Sequence, residues 1–120
     1  MMRTRRWVTV PAALIAVALS SAAAQDRQSE ADLRCLVVAL AMGNSADPNV
    51  KNLAPVAAMY YIGRIEGHDP KLSLEASLSG ALMKMSAADR QTESRRCGAD
   101  LSAKGKLLSE IGANLQKQGL

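Results

Sequence analysis

Apolar residues recur along this chain at intervals of three and four, and no segment alternates apolar and polar positions with a period of two. The first spacing is that of a helix face, and the second, a strand pattern, is missing. Ser29 precedes Glu30, Ala31 and Asp32, an N-cap with acids in the first turn. Leu33, Leu36, Val37, Leu40 and Ala41 follow at helical spacing, while Val38, Ala39 and Met42 fill most of the other side. A helix apolar nearly all round is central and buried. Gly43-Asn44-Ser45 ends it.

Asp47-Pro48 starts a second helix, with a capping carboxylate and a proline in the first turn. That segment runs to Gly67 but contains Pro55. Either the helix kinks at Pro55, or a short turn from Pro48 ends and Asn52 caps a new helix with Pro55 in its tolerant first turn. Both readings are open, the second slightly preferred. Val56, Met59, Tyr60 and Gly63 then share a face, with Gly67 on the same side. Ser73 caps a third helix whose expected buried face is Leu74, Leu78, Ala81, Leu82 and Met85. Ser86 with Asp89 three residues on repeats the capping logic. It opens a fourth helix over residues 87–117. The pattern predicts one all-α domain, a small bundle of four or five helices.

The fourth helix carries glycine on a seven-residue beat at Gly98, Gly105, Gly112 and Gly119. Leu101, Leu108 and Leu115 lie between them. Each interior glycine costs about 1 kcal/mol relative to alanine, so the regularity calls for a packing reason. On a helix, steps of three and four draw one narrow stripe of leucines separated by shallow notches. The expected partner is residues 54–67, with small residues of its own at Ala57, Ala58, Gly63 and Gly67. Two small faces in contact gain dispersion without leaving a void. A dimer or partner surface is the alternative use of the stripe, and coincidence in a frayed helix is the third.

The amino terminus is read apart from the bundle. Arg3, Arg5 and Arg6 precede the apolar run VTVPAALIAVAL at residues 8–19, and SSAAA follows. Basic, apolar and small in that order describe a signal peptide, residues 1–24, cut after Ala24. The run is short of the about 20 residues a bilayer span needs. After cleavage no stable membrane anchor is expected. Thr4-Arg5-Arg6 leaves the choice between general and twin-arginine export open. The expected location is periplasmic or secreted, and the domain is residues 25–120.

Cleavage changes the charge. The whole chain carries 15 Lys and Arg against 11 Asp and Glu, a net charge of +4. Three arginines leave with the signal and no acid does, so the mature chain is near neutral. Nucleic acid is excluded as a partner, because no basic stripe remains and only Tyr60 and Tyr61 could stack on bases. Without phenylalanine, the core of so short a chain is thin and gains from a staple. Cys35 and Cys97 are the only cysteines, and export places them where disulfides form. A bond between them closes a loop of about 60 residues, worth about 4 kcal/mol in the chain-entropy model. With the lone His68 they show no metal-ligand spacing, so neither metal nor other cofactor is expected.

No catalytic set is visible either. His68-Asp69 reads as a solvated turn before Pro70. No serine sits in a nucleophile elbow and no glycine-rich loop follows a strand. Asp89, Glu93, Arg95 and Arg96 read as a solvated face with local ion pairs. The candidate interaction patch is Tyr60, Tyr61 and Arg64 within YYIGRIEG, since tyrosine and arginine anchor interfaces. Its structural reading packs one tyrosine inside while the other and Arg64 cover the edge, consecutive residues facing different sides.

Cys35 with its apolar run, the YYIGRIEG segment, and RRCGADL with the glycine–leucine tail together resemble a group of small exported two-cysteine helical bacterial proteins without assigned function. The resemblance covers most of residues 25–120. In architecture alone the chain is similar to periplasmic acid chaperones and to immunity proteins of toxin secretion systems. That similarity implies only a non-enzymatic binding role. Export, a stapled small core, no catalytic set and a spare apolar stripe lead to the expected function: an inhibitor, adaptor or chaperone-like protein with an unknown protein partner, as a monomer or homodimer. A self-assembling envelope component using the stripe is the alternative. A small-ligand carrier or enzyme using His68, Asp69 or Arg64 is the least favoured.

Overall fold

A computed structural model describes the backbone over residues 13–119 and the side chains over residues 22–119. The basic head and the start of the signal-like run, residues 1–12, lie outside the described residues. Within them the chain is all-helical, in the order α1 (Ala13–Met42), α2 (Pro48–His68), α3 (Leu74–Lys84) and α4 (Ala87–Lys117). No helix among the described residues is long and apolar enough to cross a membrane.

α1 is the hub, and each of the other three helices packs against it. Its stretch of Leu33, Cys35, Leu36, Val37, Val38 and Ala39 is buried, which fits a segment apolar on nearly every side. It starts far earlier than a Ser29 cap would allow. No glycine or proline interrupts residues 20–29, and Ala22, Ala23 and Ala24 are the best helix formers, so Ser29 lies inside the helix. Residues 22–27 are exposed. At the other end Gly43, Asn44 and Ser45 close the helix with turn hydrogen bonds to Leu40, Ala41 and Met42.

α2 begins as its sequence indicates. Asp47 accepts a hydrogen bond from the Asn49 amide at 2.9 Å, with Pro48 in the first turn. It then runs through Pro55 without a restart at Asn52. Lys51, whose carbonyl would have met the missing Pro55 amide, lies on the exposed side with Pro55 itself. Water can satisfy that carbonyl there, which softens the proline penalty. The buried face is Ala54, Ala57, Tyr61 and Ile65. Of the other face, Val56, Met59 and Gly63 are turned away from the core, leaving Val56 66% and Met59 69% exposed, while Tyr60 is half-buried and packs against the core.

α3 contributes less than its spacing suggests. None of its residues is fully buried. Leu74, Leu78 and Ala81 pack on the core from its edge, and Leu82 is exposed. Met85, just past the helix, is the residue that inserts, joining Val37 and Val38. α4 opens with the capping box: the Ser86 hydroxyl accepts from the Asp89 amide at 3.1 Å, and the Asp89 carboxylate accepts from the Ser86 amide at 2.8 Å. These bonds to Ser86 hold the Asp89 carboxyl below its ordinary range.

Cys35 and Cys97 form a disulfide, Cα to Cα 5.5 Å, which ties α1 to α4 at the centre of the core. Beyond it α4 leaves the bundle. From Ser102 to Gly119 every residue is exposed. The expected seating of the glycines on α2 is therefore overturned. A side chain added at Gly98, Gly105, Gly112, Gly63 or Gly67 would meet nothing within 4 Å. α4 packs on the core as far as Leu101, and α2 packs chiefly on α1.

Candidate functional site

Two features lie beside the disulfide. The first is a polar cluster, and it absorbs the patch expected at Tyr60, Tyr61 and Arg64. Asp32 on α1 is 1% exposed. One of its oxygens accepts from Gln28 Nε2 at 3.1 Å and the other from Arg64 Nε at 3.1 Å. Arg64 Nη1 donates to Asp100 on α4 at 3.0 Å and to the Tyr60 hydroxyl at 2.8 Å. The Tyr61 hydroxyl faces the Cys97 carbonyl at 3.1 Å and the same Asp100 oxygen at 3.3 Å. One guanidinium thus bridges carboxylates from two other helices.

Tyr61 turns inward while Tyr60 lies at the edge with Arg64, yet the two side chains stay in contact. Their rings meet edge to face at 4.9 Å, and both hydroxyls converge on Asp100. Tyr61 is fully buried, while Tyr60 is half-buried beneath the Arg64 guanidinium, 5.4 Å above its ring. Burial, reinforced by the Asp100 charge, pushes the Tyr61 hydroxyl well above its ordinary pKa of 10.0. Burial alone would pull the Arg64 pKa down; the Tyr60 hydrogen bond and the Asp32 charge outweigh it, and the net shift is upward. No buried polar side-chain atom among the described residues lacks a partner. A network so closed positions helices.

Asp32 and Asp100 were not singled out from the sequence. The signal was present: Asp32 lies three residues before Cys35, and Asp100 three after Cys97. At that spacing each shares a face with its cysteine, so the staple carries Asp32 into the core and Asp100 to its edge.

The second feature is an apolar groove of about 740 Å³. Its floor is the disulfide with Val38, Ala39 and Ala57. Leu53 and Val56 of α2 wall one side, and Gly98, Leu101, Gly105 and Leu108 of α4 wall the other. Lys104 stands at the rim. The volume falls within the range of ligand pockets. Leu53 is 56% exposed, Val56 66% and Leu108 68%, so the walls are wetted hydrocarbon. The groove exists because the outward face of α2 and the departing half of α4 diverge. The glycine–leucine stripe thus lines an open site in its first half and stands free in its second.

The remaining candidates are quiet. His68 is exposed at the end of α2, and Asp69 holds a turn by accepting from the Lys71 amide at 3.2 Å. Arg34 and Arg96 pair with Glu93, and Arg34 also with Glu30. Arg96 reaches the Ala31 carbonyl at 2.8 Å, which fastens α4 to α1 and gives part of the charged face a structural task. The Glu93 carboxylate lies near both cysteine sulfurs. Joined to each other, those sulfurs are not the thiolates that bind zinc. Comparison with protein-family models, with curated proteins and with solved structures gave no match to any of the three.

Proposed function

We propose that the chain is an exported binding protein whose working surface is the apolar groove, and that it takes up the apolar face of an amphipathic helix. The observation that carries this is the groove of about 740 Å³, open to water and walled by exposed Leu53, Val56 and Leu108. Large exposed apolar surface on a small domain marks a contact site. A helix laid in a groove, anchored by residues three and four apart, is a recurrent way of filling one. The closed polar cluster beneath keeps the walls in place. Export is supported by the order of basic, apolar and small residues in 1–24. It is supported also by the exposure of Ala22, Ala23 and Ala24, the described side chains that precede the cut. The same surface serves an inhibitor, an adaptor or a chaperone-like protein, and the reading needs no catalytic step.

The test is fluorescence anisotropy of a labelled amphipathic peptide of about 18 residues, with leucine at helical spacing, titrated with the protein recovered from the exported fraction. Val56→Glu places a charge on the wall and should weaken binding by at least about tenfold. Because Val56 is exposed, the melting temperature should stay unchanged. Binding that is absent in the parent, or indifferent to Val56→Glu, would overturn the reading.

A further inference from the structure

We propose that one occupant of the groove is α4 of a second copy of this chain, in an antiparallel pair along the glycine–leucine stripe. The inference rests on the groove being a helix receptor.

From Ser102 to Lys117 α4 is a helix with no partner among the described residues. Helices are stable in proteins chiefly through packing, and this one carries Gly105 and Gly112, the poorest residues for standing alone. Its exposed apolar residues include Leu108 at 68%, Ile111 at 44% and Leu115 at 39%. A face of this kind asks for cover, and its spacing says which cover fits.

Along the stripe glycine and leucine alternate in steps of three and four. In a parallel pair, equal positions meet: glycine faces glycine over a void, and leucine crowds leucine. In an antiparallel pair the steps still match, but every leucine meets a glycine. Leu101 faces the second copy's Gly112, Gly105 faces its Leu108, and Leu115 faces its Gly98, with the reciprocal contacts given by the two-fold axis. Each leucine fills the notch opposite, and the two backbones approach closely. Sliding by one heptad would put Gly119 in place of Gly98, but Gly119 lies beyond the helix end at Lys117 with φ 95°, so one register keeps all three leucine–glycine pairs within the helix.

The charges agree with this arrangement. Lys106, Glu110 and Lys117 lie on the outer faces of α4, off the stripe. Lys104 at the edge lies beside the second copy's Ile111, over which its stem can run. No two like charges meet across the seam.

Area decides how the groove takes part. From Gly98 to Leu115 the seam is about 26 Å long and a helix about 10 Å wide, roughly 260 Å² of footprint per copy. Specific interfaces bury about 1,200 Å² or more in total, so the seam alone is too small. Since Gly98, Leu101, Gly105 and Leu108 are already one wall of the groove, the incoming helix also meets Leu53 and Val56 on the other. Two such grooves, related by the axis, complete the interface.

The test is sedimentation equilibrium of the exported protein with helicity followed by circular dichroism. The parent should be dimeric. Gly105→Leu adds apolar surface and has open space around it in the single chain, yet it should weaken the dimer by at least about tenfold with helicity kept or raised. Gly105→Leu with Leu108→Gly exchanges knob and notch and should restore the dimer. A parent that is folded and monomeric up to about 100 µM overturns the pairing. So does a Gly105→Leu variant that associates as well as the parent or better, which is the parallel outcome. If the monomer still binds the amphipathic peptide, self-pairing alone has failed; if it binds neither, the groove reading falls with it.

Discussion

Replacing Arg64 by methionine tests whether the polar cluster holds the helices together. Methionine keeps most of the apolar stem and removes the guanidinium that joins Asp32 of α1 to Asp100 of α4. Asp32, 1% exposed, would retain only the Gln28 amide at 3.1 Å. Breaking a buried pair by removing one partner costs about 3–5 kcal/mol. The Arg64 side chain is 27% exposed, so solvent screens part of that, and about 2–3 kcal/mol is the expected loss. That is a large share of the total stability of a small domain. It should lower the thermal midpoint by about 10–20 °C, read by far-ultraviolet circular dichroism. Adding Asp32→Asn removes the stranded charge. The double variant should regain about 1–2 kcal/mol over Arg64→Met alone. A midpoint for Arg64→Met within about 2 °C of the parent would refute the reasoning, as would a double variant no more stable than the single one.

Tyr61→Phe removes the hydroxyl shared by the Cys97 carbonyl and Asp100 and should cost about 1 kcal/mol, measured by urea unfolding. Since the folded pKa of Tyr61 is raised, its contribution is fully present below the ordinary value of 10.0 and is lost as pH rises towards the folded value. A spectrophotometric titration should accordingly show one tyrosine ionising only far above that value or with alkaline unfolding. Asp89 has the opposite sign. Its pKa is lowered by Ser86, so the capping box is intact above the ordinary carboxylate value of 3.8 and is lost as pH falls through the lower folded value, visible as amide exchange at the start of α4. Ser86→Ala should cost about 1 kcal/mol at neutral pH, also by urea unfolding. Replacing both cysteines by alanine should cost about 4 kcal/mol for a loop closed by residues 62 apart. A loss near zero in that unfolding curve would mean the bundle packs without its staple.

Much of the bundle was legible because its signals are local. Asp47-Pro48, the Ser86–Asp89 pair and the Gly43-Asn44-Ser45 stop are read within a turn or two, and each sits where the sequence puts it. The disulfide was legible because the chain has two cysteines, and two cysteines have one pairing. Continuity was harder. Ser29 has the chemistry of a cap, but a cap is used only where a helix must begin, and the preceding alanines let it run on. Pro55 breaks a hydrogen bond that water can replace on an exposed face. The rotation of α2 was not legible at all. Val56 and Met59 are the more apolar choice, yet the small Ala54 and Ala57 go inward because α1 comes close, and the larger residues are left for the groove. Three-dimensional divergence of α2 and α4 makes the site, and no residue pattern within either helix records an angle between them.

A groove that receives a helix must change the surroundings of its own backbone when the helix arrives. The direct measurement is the backbone amide spectrum of isotope-labelled protein with and without the amphipathic peptide. The account predicts shifts at Ala39, Met42, Leu53, Val56, Leu101 and Leu108, whether the peptide enters an empty groove or displaces a second copy. α3 and the Ser86–Asp89 cap should keep their positions. A spectrum that does not change, or that changes on α3 while the groove residues stay still, would contradict it.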